Sequence, residues 1–323
     1  MNRILVFVAR ILVSATFLFS GFVKLVDPLG SAYKFEEYFG SDVLNLPILI
    51  PYALPFSIGL ILVEILLGVT LLVGYKPKLT LGALLGMTVL FLFLTWYSAY
   101  FDKVTDCGCF GDALKLSPWE TFYKNGVLLF LLLFLIFRIS YVIPVFSDDL
   151  LRWITLSFLG VFVYILYHVQ VHLPLLDFRA YAVGKNLKEG MLSQPGSDAL
   201  PPVHDFYLES ETADLTDFIL AAEKCLLFVS YNIQKGDFVG FSEVAQLAQE
   251  AKERGYLVYG LSASGSAELQ ALQKEFDFPF EFLFCDETTL KTIIRANPGI
   301  VSLKRGTVVG KWNWRDADAV FQD

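Results

Sequence analysis

The chain has 323 residues, a mean hydropathy of +0.55 and only 18% charged residues, too apolar for an ordinary soluble protein of this length. Its formal net charge of −8 argues against nucleic acid as a partner, since a phosphate backbone calls for a basic face. Four cysteines and three histidines are too few for a disulfide scaffold or a zinc array.

The apolarity is concentrated in the first half, and it predicts an α-helical membrane bundle. Stretches 4–23, 54–73, 79–100, 121–141 and 153–171 are each apolar over the roughly 20 helical residues that cross a hydrocarbon core. The first is not read as a signal peptide: Phe17-Leu18-Phe19-Ser20-Gly21 lacks a small-x-small cleavage site, and four further spans follow. Arg3, Arg10, Lys76, Lys78, Arg138 and Arg152 fall in very short connections on one side. Lys24, Lys34, Lys103, Lys115 and Lys124 are spread over longer acidic stretches on the other. That density predicts a cell inner-membrane, multi-pass protein with a cytoplasmic N-terminus. Five crossings then carry the C-terminal half to the periplasm, the same side as Cys107 and Cys109, where disulfides persist.

Polar residues in or beside the spans are the candidate site. Lys24 and Asp27 end the first span ahead of Pro28, either as a snorkelling lysine paired with an interfacial aspartate or as a polar mouth near the cysteine loop. Glu64 sits mid-span, where its charged form is costly. It reads as a proton relay or ligand contact, or as a packing hydrogen bond to a hydroxyl such as Ser20, Ser57 or Thr95. The run Asp106-Cys107-Gly108-Cys109-Phe110-Gly111-Asp112 places two thiols one residue apart, with Gly108 free to take the backbone angles a small ring needs. Asp106 and Asp112 oppose thiolate formation, while Lys103 and Lys115 favour it. Three readings stand: a redox pair, a disulfide pinning the loop, and metal ligation, for which two thiolates alone do not complete a shell. His168 and His172 share a helical face at the outer end of the fifth span. They are weak metal candidates beside the two cysteines, or interfacial anchors before Pro174.

Residues 176–202 read as a connector, punctuated by Gln194-Pro195-Gly196-Ser197 and Pro201-Pro202. Beyond it strands are expected at 225–231, 256–262 and 280–284, helices at 241–254, 267–276 and 288–295, and a hairpin over 299–303 and 307–312 around Lys304-Arg305-Gly306. That alternation predicts a soluble α/β domain. Cys225 and Cys285 fall in apolar strands and read as small hydrophobes, or as a disulfide if their Cα atoms come within about 7 Å.

The stretch Ala9-Arg10-Ile11-Leu12 through Ser20-Gly21-Phe22-Val23-Lys24-Leu25-Val26-Asp27-Pro28, then Glu64, then the CGCFGD loop, resembles the DoxX-like and MauE-like redox-associated membrane proteins over residues 1–145. The family is redox-associated, and MauE is linked to disulfide formation during methylamine dehydrogenase maturation. The resemblance implies a four-helix core, to which a fifth transmembrane helix at 146–175 and a domain at 203–323 are added. This looks similar to a DoxX-plus-thioredoxin-like fusion of Bacteroidetes. The element order from residue 225, with Asn297-Pro298-Gly299 before the hairpin, resembles the thioredoxin fold of the TlpA and peroxiredoxin type, in which Pro298 matches a cis-proline. The chain departs from that pattern where Cys-x-x-Cys should follow the first long strand: it has Tyr231-Asn232-Ile233-Gln234.

Two functions follow as expectations. In the first, the protein is a thiol–disulfide oxidoreductase accessory: Cys107 and Cys109 exchange electrons with an extracytoplasmic client, backed by a membrane quinone near Glu64, and the thioredoxin-like domain docks the client. The second is a non-catalytic membrane assembly or binding protein whose cysteines form a structural disulfide. A permease has Glu64 as its sole support and no inverted repeat.

Overall fold

Proline and glycine set the ends of the apolar helices. The computed structural model describes residues 2–104, 106–193 and 200–322, so the Gln194-Pro195-Gly196-Ser197 part of the expected connector lies outside the described residues. Helix α1 (Asn2–Val26) stops where Pro28 begins α2 (Pro28–Phe39), which Asp27 caps by accepting from the Gly30 N–H at 3.0 Å. Sequence reading ended the helix at Pro28 and passed over α2. Helices α3 (Ala53–Val73), α4 (Pro77–Tyr100), α5 (Pro118–Phe137) and α6 (Asp148–Val171) follow. With α1, these four make five helices, among the described residues, long and apolar enough to cross a membrane.

The chain divides into two compact units, Met1–Gln170 and Val171–Asp323. In the first, α1 lies close against α3 because both present glycine at the crossing. A Cβ on Gly21 would collide with the Ile65 side chain, and one on Gly68 would stand 2.9 Å from Leu18 Cγ. Small residues at such a crossing let backbones approach, which membrane helices need because lipid offers no hydrophobic drive for their association. Arg10, buried in α1, donates from Nε to the Leu71 carbonyl at 2.8 Å, from Nη2 to Leu72 at 2.6 Å and from Nη1 to Ile143 at 2.9 Å. Two of these carbonyls, Leu71 and Leu72, lie in the last turn of α3, where a cation is favoured.

The second unit begins with residues that sequence reading assigned to a connector. Tyr181 and Leu187, the latter in the short α7 (Leu187–Gly190), belong to its buried core. Then come α8 (Thr216–Ala221), β1 (Cys225–Ser230), α9 (Phe238–Glu253), β2 (Leu257–Ser262), α10 (Ser266–Phe276), β3 (Phe282–Phe284), α11 (Glu287–Ile293), β4 (Gly299–Lys304) and β5 (Thr307–Asn313). The sheet order is β3-β2-β1-β4-β5, with β1, β2 and β3 parallel and β4 and β5 antiparallel. Every residue of β1 is buried, as befits a central strand covered on both faces. One core contains Cys225, Leu227 and Leu283, and the other contains Leu226, Phe228 and Phe241. The unit is a mixed five-stranded sheet with helices, compatible with a soluble α/β domain. The Asn297–Pro298 bond is cis.

Candidate functional site

Glu64, fully buried in the middle of α3, forms an ion pair with Lys24 of α1: Lys24 Nζ is 2.8 Å from Oε2 and 3.0 Å from Oε1. Lys24 does not snorkel to Asp27. It turns inward because the Gly21 crossing brings α3 within reach, and because an unpaired carboxylate at that depth is costly. Lys24 Nζ also donates to Ser20 Oγ at 2.8 Å. Of the other hydroxyls considered for Glu64, Ser57 donates to the Pro28 carbonyl at 3.0 Å and Thr95 to Phe91 at 2.7 Å.

Ser20 is the link from this pair to the cysteine loop. Its hydroxyl donates to the Cys109 carbonyl at 2.9 Å, with Glu64 Oε2 a longer alternative at 3.3 Å. The loop is shaped locally. Asp106 Oδ1 accepts from the Gly108 N–H at 2.9 Å, an Asx turn, and Gly108 takes φ +62 with the Lys34 stem where a Cβ would be. Lys34 Nζ pairs with Asp106 at 3.0 Å and Glu37 at 2.9 Å. Burial works against the Lys34 charge, but Asp106 and Glu37 outweigh it and hold the ammonium above the usual lysine range.

The two thiols are free and unequal. Cys107 is buried at 8% exposure, and Cys109 is half-buried. Burial, then the neighbouring Cys109, push the Cys107 thiol up to about 11, against hydrogen bonds from Thr121 and Tyr38. Burial also raises Tyr38 above its ordinary value. Phe110, next in sequence to Cys109, packs on Phe19 at 5.3 Å and lies 4.3 Å beneath Lys124 Nζ.

Between α1, α3, α4, α5 and the loop is a cavity of about 20 Å³, lined among others by Ser20, Glu64, Thr88, Cys109, Lys124 and Asn125. It has room for about one water. Lys24, Glu64 and the CGC loop are therefore one site. Sequence reading named those residues but missed α2 with Tyr38, and the chamber with Thr88, Lys124 and Asn125. Asn125 and Thr88, polar residues inside apolar runs, were the available signal.

Other sequence candidates lie elsewhere. Asp27 caps α2, while Asp112 falls in a short 3₁₀ turn, Gly111–Ala113, after the cysteines. His168 stacks on Tyr164 within α6, and His172 Nδ1 lies 2.7 Å from Asp316 Oδ1. Among the described residues no group of three or more His, Cys, Asp or Glu is placed to hold a metal ion. Cys225 and Cys285 are free and share one core, where burial pushes each thiol up to about 12. Near Pro298, Asn297 accepts from Ser230 Oγ at 2.8 Å and donates to the Asn232 carbonyl at 2.7 Å. Phe238 and Val239, in the first turn of α9, are exposed.

Residues 2–138 match the family model described as methylamine utilisation protein MauE. The match covers α1, α2, α3, α4, α5 and the cysteine loop, and stops before α6 and the second unit. No curated protein matches the chain. The chain is thus a multi-pass membrane protein with a MauE-like segment.

Proposed function

Starting from that MauE-like segment, we propose that the protein is a redox accessory of the inner membrane, whose Cys107/Cys109 loop carries thiol–disulfide or electron-transfer chemistry outside the cytoplasm. The observation that carries this reading is the Ser20 hydroxyl, which ties the Cys109 carbonyl to the buried Lys24–Glu64 pair. A loop that served only as a connection would have no need of a buried ion pair beneath it. Buried ionisable groups inside a membrane are by default functional candidates. Going from the dithiol to the disulfide releases two electrons and two protons. A client disulfide or a membrane quinone is the class of acceptor that takes both.

The second unit supports a client-binding role, read as a thioredoxin-like domain without a dithiol. Tyr231-Asn232-Ile233-Gln234 occupies the place of the redox motif. Exposed Phe238 and Val239 offer an apolar surface at the start of α9, suited to an extended peptide chain.

A redox titration of the full-length protein tests the reading. The expected result is one two-electron couple at Cys107/Cys109 with a potential above about −300 mV, the range of labile rather than structural disulfides. A disulfide that resists reduction until the protein unfolds would leave the cysteines as a structural staple.

A further inference from the structure

The chamber beneath Cys109 is rich in hydrogen-bond donors and short of acceptors. Thr88 Oγ1 and Asn125 Nδ2 are buried without a hydrogen-bond partner, in residues 1% and 2% exposed. Buried polar groups in that condition call for an occupant or a charge to complete them. The nearby carboxylates are already engaged, Glu64 by Lys24 and Asp106 by Lys34. Among the described residues Lys124 makes no ion pair. Its ammonium lies over Phe110, the residue that follows Cys109. Lys124 and the half-buried Cys109 line this same chamber.

Resting on the redox reading above, we propose that Lys124 is the counter-ion that holds Cys109 as a thiolate, so that Cys109 is the attacking thiol and Cys107 the one that closes the disulfide. The Cys109 thiolate attacks one sulfur of a client disulfide; a mixed disulfide forms, and the departing client thiolate takes up a proton. Cys107 then loses its proton and attacks the Cys109 sulfur, expelling the second client thiolate, which is protonated in turn. The pair is oxidised by two electrons and the client disulfide is reduced to a dithiol. Cys107 suits the second step. It is the more buried thiol, and it needs to ionise only when the mixed disulfide stands beside it.

The groups facing the loop are Lys24 from α1, Lys34 and Tyr38 from α2, Glu64 from α3, and Thr121 and Lys124 from α5, with Asp106 and Asp112 within the loop itself. Lys24 and Lys34 are paired to carboxylates, which leaves Lys124 as the cation to vary. The test is the pH dependence of iodoacetamide alkylation of each thiol in the reduced full-length protein, in wild type and in Lys124→Met, Lys124→Gln and Lys124→Arg. In wild type, Cys109 should react before Cys107, its rate rising with pH through a single midpoint. Lys124→Met or Lys124→Gln should move that midpoint upward and slow Cys109 about tenfold at neutral pH, one pKa unit's worth, while Lys124→Arg retains it. Lys124→Gln keeps a polar stem in case Lys124→Met does not fold. An unchanged Cys109 profile in the neutral variants, or faster alkylation of Cys107, overturns the proposal. Because alkylation reads the reduced protein, its outcome is separate from whether the pair cycles in cells.

Discussion

Ser20 Oγ and the Cys109 carbonyl oxygen lie 2.9 Å apart, and the same hydroxyl accepts from Lys24 Nζ at 2.8 Å. One side chain thereby joins the cysteine loop to the ion pair inside the bundle. Replacing it by alanine leaves a half-buried carbonyl without its donor, at a cost of about 1 kcal/mol. In Ser20→Ala, hydrogen exchange should speed up at loop amides near Gly108 and stay unchanged in the second unit.

The Lys24–Glu64 pair makes an asymmetric prediction. Glu64→Gln or Lys24→Met alone strands a charge in the bundle and should destabilise it by about 3–5 kcal/mol. The double variant Lys24→Met/Glu64→Leu removes both charges and should recover most of that loss. Unfolding in detergent or bilayers measures it. A double variant as unstable as the sum of the singles would contradict an isolated pair.

Gly108 sits at φ +62 with the Lys34 Cγ 2.8 Å from where a Cβ would be. Gly108→Val should both strain the backbone and displace Lys34 from Asp106. The expected outcome is faster alkylation of Cys107, now less buried, with little change in helix content.

The broad architecture was legible because it rests on hydrophobic periodicity. The five spans and the eight elements of the α/β sheet domain from residue 225 each show it within a short window. Glu64 was legible for the same reason, as a charge inside an apolar run. Its partner was not, since Lys24 reaches it across a helix crossing set by Gly21 and Gly68, and a single sequence does not say which spans meet. Helix α2 was missed because Pro28 both stops one helix and suits the first position of the next. Tyr181 and Leu187 look like connector in the sequence because the sheet whose core they join starts only at Cys225.

A second ionic cluster sets a pH dependence in the second unit. Asp177 accepts from Arg179 at 2.6 and 2.9 Å and from Lys311 at 2.6 Å. Burial opposes its charge, but Arg179 and Lys311 outweigh that and hold Asp177 down at about 2. Burial, then Arg179, push Lys311 down to about 7 against the pull of Asp177. A depressed carboxylate gives stability that is present above its ordinary value of about 3.9 and lost as pH falls toward its folded value. A depressed lysine is a cost borne in full below its folded value and relieved as pH rises toward about 10.4. Hydrogen exchange at β5 should therefore show weaker protection from about pH 4 down to about pH 2, and stronger protection above about pH 7, after correction for intrinsic exchange. Lys311→Met should remove the upper change.

The central claim is that Cys107 and Cys109 turn over between thiol and disulfide. Thiol trapping in intact cells, with the redox state of the pair read before and after respiration is blocked and after a reductant is added, tests it most directly. The account predicts a mixed population at rest that shifts with each treatment. A pair that stays wholly oxidised under all three conditions would contradict it.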